Sequence, residues 1–121
     1  MTVTYQVRVK TGSMTGAGTD ADVSIVLYGD KASSGPVVLD NGMDNFEAGQ
    51  EDQFTIELQD LGELNRCEIG HNDEGFGSGW YLEQVTVHDP ATGRAWKFLA
   101  NRWLATDEGD GKTSCTLTVS R

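Results

Sequence analysis

The chain has 121 residues, of which 37% are hydrophobic, with 19 acidic and 9 basic side chains and a formal net charge of −10. That size fits one compact domain able to bury its own core, and the apolar content excludes a disordered chain. The negative field repels nucleic acid and anionic lipid headgroups and attracts cations, so no nucleic-acid partner is expected.

Residues 1–121 read as a single domain without linker, repeat or low-complexity segment. No window approaches the roughly 20 apolar residues of a membrane span, so no transmembrane segment is expected. The N-terminal MTVTYQVRVK lacks the apolar core of a secretory signal peptide. A soluble chain is therefore expected, with its compartment unspecified.

Period-2 alternation dominates from end to end. YQVRVK puts Tyr5, Val7 and Val9 on one face, and DVSIVLYG does the same with Val23, Ile25 and Leu27. PVVLD is short and apolar, and DQFTIELQD alternates Phe54, Ile56 and Leu58. LNRCEIGH offers Cys67 and Ile69; WYLEQVTVHD offers Tyr81, Val85 and Val87. RAWKFLAN contributes Trp96 and Phe98, and TSCTLTVS contributes Cys115, Leu117 and Val119. Such runs, rich in β-branched and aromatic residues and separated by Gly, Asp and Asn clusters, predict eight strands. DLGELNR has room for one helical turn at most. Eight short strands in this length predict an all-β fold, an antiparallel eight-stranded β-sandwich.

The two cysteines, Cys67 and Cys115, form no CxxC pair. They fit two buried thiols or one disulfide, and sequence does not decide between these.

If each strand reverses at every connection, the odd-numbered loops share one end of the sandwich. They span about 11–20, 40–52, 70–80 and 100–112, and with their edges carry twelve of the nineteen acids. Among these are Asp20, Asp22, Asp40, Asp44, Glu47, Asp73 and Asp107. Like charges gathered at one end repel, and a divalent cation would offset that repulsion. Calcium takes six to eight oxygens from carboxylates, amides and backbone carbonyls. DNGMDNFE supplies all three kinds: Asp40 and Asp44, Asn41 and Asn45, and a backbone made pliable by Gly42. In AGTDADV, Asp20 and Asp22 lie two apart at a strand start and share a face. The plainer reading is solvated turn residues, since Asp and Asn are favoured in turns.

The same loops carry Met14, Phe76 and Trp103. Apolar tips at a cation-binding end suit shallow insertion into a membrane or a partner. The alternative is that Phe76 or Trp103 folds back over the core. Catalysis finds little support: the only histidines are His71 and His88, and no GxSxG, HExxH, CxxC or P-loop pattern occurs. No run of basic residues forms a patch.

Taken together, YQVRVKTGSMTGAGTDADVSIVLYGD, LDNGMDNF, DQFTIELQDLGELNRCEIGHN and GWYLEQVTVHDPATGRAWKFLANRWL resemble the PLAT domain, the module shared by polycystin, lipoxygenase and alpha-toxin. The resemblance covers nearly the whole chain in order and spacing. It implies a sandwich of two four-stranded sheets. It also implies a non-catalytic module that directs proteins to membranes, lipids or partner proteins, often with calcium.

Matched by position, the resemblance implies a first-loop site at Thr19 and the Gly18 carbonyl, closed by Asp73. It implies a second-loop site at Asp40, Asn41, the carbonyl near Met43, Asp44 and Asn45, with Glu47 close by. Met14 and Phe76 fall near insertion tips. The chain departs from the family pattern at Gly16, often acidic there, at the order Asp44-Asn45, and at Met14, often tryptophan. The expected function is a calcium-dependent lipid- or membrane-binding module; the alternative is a protein-interaction adaptor without membrane binding.

Overall fold

The computed structural model describes residues 2–14, 17–19, 22–39, 46–72, 79–106 and 111–120. Eight strands appear in the expected places: β1 (Thr2–Thr11), β2 (Val23–Gly29), β3 (Val37–Val38), β4 (Glu51–Gln59), β5 (Leu64–His71), β6 (Trp80–Asp89), β7 (Arg94–Leu104) and β8 (Ser114–Thr118). They form two four-stranded antiparallel sheets, ordered β4-β1-β6-β7 and β3-β2-β5-β8.

The alternation seen in sequence becomes the core. Tyr5, Val7 and Val9 of β1 face Val23, Ile25 and Leu27 of β2 from the opposite sheet, all buried. Trp96 and Phe98 of β7 and Cys67 and Ile69 of β5 join them. Period-2 burial on one face with polar residues on the other is what an antiparallel sandwich requires. Two buried polar groups inside it are paired. Trp80 Nε1 donates to Thr11 Oγ1 at 2.9 Å, and the Leu61 amide donates to Tyr5 Oη at 3.1 Å.

Three local details sharpen the sequence reading. β3 shrinks to two residues, because Pro36 has no amide to give a ladder. DLGELNR forms no helical turn: Gly62 sits at φ +78°, and a side chain there would collide with Asp30. β7 runs three residues past Asn101, which takes a left-handed φ of +50° where the strand bends. Trp103, expected in a loop, therefore belongs to a strand.

Cys67 and Cys115 form no disulfide; Cys67 is buried and Cys115 half-buried on neighbouring strands. Cys67 lies opposite Leu117 and Cys115 opposite Ile69, a diagonal relation across the β5–β8 ladder.

The end away from the odd loops is held by turns and ion pairs. Asp89, 1% exposed, accepts from the Ala91 amide, the Thr92 hydroxyl and Arg94. Arg94 also reaches Asp60, which pairs with Lys31.

Candidate functional site

The described flanks of the odd loops meet at one end. Thr19 N–H donates to the Phe46 carbonyl at 2.9 Å, joining the first loop to the second. The Asp22 amide donates to Asn72 Oδ1 at 3.1 Å and the Asn72 amide to the Asp22 carbonyl at 3.1 Å, joining the first to the third. Tyr81 N–H donates to the Ala17 carbonyl at 2.9 Å. His71 Nε2 lies 2.6 Å from the Leu104 carbonyl, which brings the third flank to the fourth. A carbonyl can only accept, so His71 carries its proton on Nε2.

Phe46 is the keystone of this end. Its φ is +62°, a region that a bulky residue enters only when its surroundings insist. They do so on every side. Its ring stacks on Phe54 with centroids 5.6 Å apart and meets Trp80 edge-on at 5.3 Å. Its amide donates to Asp52 Oδ2 at 2.8 Å, and its carbonyl accepts from Thr19. Asp52, 6% exposed, also accepts from Gln50 Nε2. This carboxylate is thus occupied with the loop backbone, and its acid count at this end is structural.

Gly18 is a point of close approach between the first and second loops. A Cβ there would lie 2.7 Å from the Phe46 carbonyl oxygen and 3.1 Å from Glu47 Cα. Only glycine permits that approach. The structure therefore places Gly18 and Thr19, from the expected first-loop site, beside Glu47, from the expected second-loop site. Thr19 is 3% exposed, with its amide committed to Phe46, whereas Glu47 is half-exposed. Among the described residues no three His, Cys, Asp or Glu side chains gather as a metal cage. The other expected ligands, Asp20, Asp40, Asn41, Met43, Asp44, Asn45 and Asp73, and the tip residue Phe76, lie outside the described residues. The backbone carbonyl at Gly18 and the carboxylate of Glu47 are hard oxygens of the kind calcium takes.

Beside this junction lies an apolar group that sequence reading gave only in part. Met14 is 42% exposed. A methyl at Gly12 would strike the Tyr81 ring at 2.6 Å and the Met14 sulfur at 2.9 Å, so the two side chains flank the same glycine. Tyr81 meets Trp103 edge-on, with centroids 5.4 Å apart. Tyr81 and Trp103 are cross-strand partners, both half-buried. Trp103 thus neither caps the core nor stands free in a loop; it leans on the outer face of the sheet. Tyr81 was missed because alternation assigned it to the inward set, whereas Trp80 and Leu82 are the inward residues. The bulge between Leu82 and Gln84 shifts the phase so that Val85 and Val87 point inward too.

A family model for the PLAT/LH2 domain matches residues 5–118. The chain belongs to the PLAT/LH2 domain family. It is 47% identical over 108 residues to human lipoxygenase homology domain-containing protein 1, covering 89% of this chain and 5% of that protein. A coral 8R-lipoxygenase, described as activated by calcium via a C2-like domain, superposes with a TM-score of 0.85 at 28% identity, over 98% of this chain and 17% of the enzyme. A calcium-dependent 11R-lipoxygenase gives 0.73 at 32% identity, over 97% and 17%. This PLAT domain thus spans a small fraction of each of these relatives. Among the described residues there is no helix long and apolar enough to cross a membrane.

Proposed function

We propose that this PLAT domain is a non-catalytic module that binds a lipid or membrane surface in a calcium-dependent manner, through the end where the odd loops leave the sandwich. The observation that carries this reading is the Thr19–Phe46 and Asp22–Asn72 stitching, which draws the flanks of three acid-bearing loops together. The intervening segments contain Asp20, Asp40, Asp44 and Asp73 in sequence. Calcium would draw its ligands from these acids, from Asn41 and Asn45, and from carbonyls at Gly18 and Met43. The two calcium-linked lipoxygenases, alike in fold over nearly the whole chain, support the same reading.

Neutralising the acidic end would remove the repulsion from anionic headgroups and leave Met14, Tyr81 and Trp103 to meet the interface. Tyr and Trp suit that boundary, where one end of the ring is apolar and the other wet.

The test is a thermal melt in millimolar calcium and in chelator, followed by vesicle co-sedimentation in both. A ligand bound only by the folded state at about 100 times its dissociation constant adds about 2.7 kcal/mol. For a domain of this size that is a rise of about ten degrees. The rise should shrink in Asp40→Ala and Asp44→Ala. Equal melting temperatures with and without calcium would remove the metal from the account. Equal sedimentation would remove the switch, leaving a protein-interaction adaptor as the surviving function.

A further inference from the structure

The strands bring together a set of cations that no run in the sequence reveals. On the outer face of the β4-β1-β6-β7 sheet, Arg8 of β1 lies opposite Thr86 of β6, and Thr86 lies opposite Lys97 of β7. One row over, Lys10 lies opposite Gln84, and Gln84 opposite Leu99. Strands about 4.8 Å apart put Arg8 and Lys97 roughly 10 Å from one another, and Arg8 and Lys10 are roughly 7 Å apart along one strand.

Lys10 has Glu51 of β4 directly opposite it, whereas Arg8 lies between the neutral Gln53 and Thr86, and Lys97 lies opposite the neutral Thr86. The ion pairs among the described residues, Lys31–Asp60, Arg94–Asp60 and Arg94–Asp89, all lie at the far end. Arg8 Nε donates to Gln53 Oε1 at 3.0 Å and Lys10 Nζ to the Gly49 carbonyl at 2.9 Å, both neutral acceptors. Beside them Gln6, Arg8, Thr86, His88 and Ala95 line a shallow recess of about 300 Å³, and Leu99 is 48% exposed. The carboxylates around this face are Glu51 and Glu57 on the edge strand β4 and Glu83 at the β6 bulge beside the Lys10 row.

We propose that this face is a docking surface for an extended acidic protein segment that also carries an apolar side chain. Charge complementarity selects the sign of the partner. The strand order selects its form: an extended chain seated over β6 meets Arg8 of β1 on one side and Lys97 of β7 on the other, each one strand spacing away. The recess and Leu99 take the apolar residue. An anionic bilayer laid across the whole face would meet Glu51 and Glu57 as well, whereas a segment seated over β6, between Arg8 and Lys97, lies two strands from β4. This surface is separate from the loop end and requires no calcium.

The test uses the 121-residue chain in chelator and a short fluorescein-labelled peptide in which Glu alternates with Ser and Leu. The peptide should bind, weaken at raised salt, and shift backbone amides of β1, β6 and β7 in heteronuclear spectra. Arg8→Glu with Lys97→Glu should weaken binding about tenfold or more. Lys31→Glu with Arg66→Glu makes the same charge change elsewhere and should cost far less. Melting curves of both double variants establish that they are folded. Three results would overturn the proposal: no binding by the unaltered chain, equal losses in the two double variants, or mixed phosphatidylcholine–phosphatidylserine vesicles, rather than the peptide, depending on Arg8 and Lys97.

Discussion

The Phe46 amide donates to a carboxylate oxygen of Asp52, 2.8 Å away, in the buried floor of the loop end. That bond holds a bulky residue at a positive φ and so fixes where the chain enters β4. Removing the acceptor leaves a buried donor unsatisfied, at about 1–3 kcal/mol. Asp52→Ala should therefore lower the melting temperature by several degrees, and any calcium-induced rise should shrink with it. Asp52→Asn keeps one accepting oxygen and should lose less. A melt of Asp52→Ala superimposable on the unaltered chain would show that Phe46 is held by its ring contacts alone.

Acid should loosen the opposite end first. Burial pushes the Asp89 carboxyl up, but the Thr92 hydroxyl, Arg94 and the Ala91 amide together outweigh it and hold the group below the usual carboxylate range. Asp60 is also held low, chiefly by the Gly62 amide and then by Lys31. A depressed folded-state value means that the unfolded chain binds more protons near pH 4, so stability rises with pH there. The contribution is complete above the unfolded-state value of about 3.9 and is lost as pH falls through the lower folded-state value. Melts from neutral pH down to strongly acidic pH should show a steeper decline in the unaltered chain than in Asp89→Asn. Parallel curves would mean that Asp89 titrates alike in both states.

Much of this was legible beforehand, for identifiable reasons. The strands were legible because Tyr5, Val7 and Val9, or Val23, Ile25 and Leu27, alternate cleanly between a buried and a wet face. Loop parity was legible because every strand pair is antiparallel. Legibility failed wherever the alternation slipped. The bulge after Leu82 moved Tyr81 to the outside, and the left-handed Asn101 carried β7 on to include Trp103. Asp52 looked like one more acid of a cluster, since nothing local shows that a side chain six residues on will take the Phe46 amide. The cationic face was hidden because Arg8 and Lys97 are 89 positions apart in the chain.

The thiols should differ sharply in reactivity. Burial, with a smaller push from Cys115, raises the Cys67 thiol to about 12. Thiolate is the reactive form, so Cys67 should stay silent toward an aromatic disulfide reagent at pH 8 until the chain unfolds. Half-buried Cys115 should react first, and Cys115→Ser should leave a native protein with almost no fast-reacting thiol. Rapid labelling of Cys67 in that variant would mean that the β5–β8 ladder opens readily.

Tryptophan emission offers a direct view of the loop end. Trp80 is fully buried with Nε1 bonded to Thr11, and Trp96 is 4% exposed with Nε1 bonded to Glu63. Only Trp103, edge-on against Tyr81 and half-buried, has an environment left to change. If this end enters a lipid interface, adding calcium and phosphatidylserine vesicles should shift the emission to shorter wavelength. Trp103→Phe should abolish the shift while leaving the melt nearly unchanged. Met14→Ala, which thins the same apolar group, should weaken vesicle binding by severalfold, since about 0.8 kcal/mol accompanies each buried methylene. A shift that survives Trp103→Phe would place the lipid contact away from this patch.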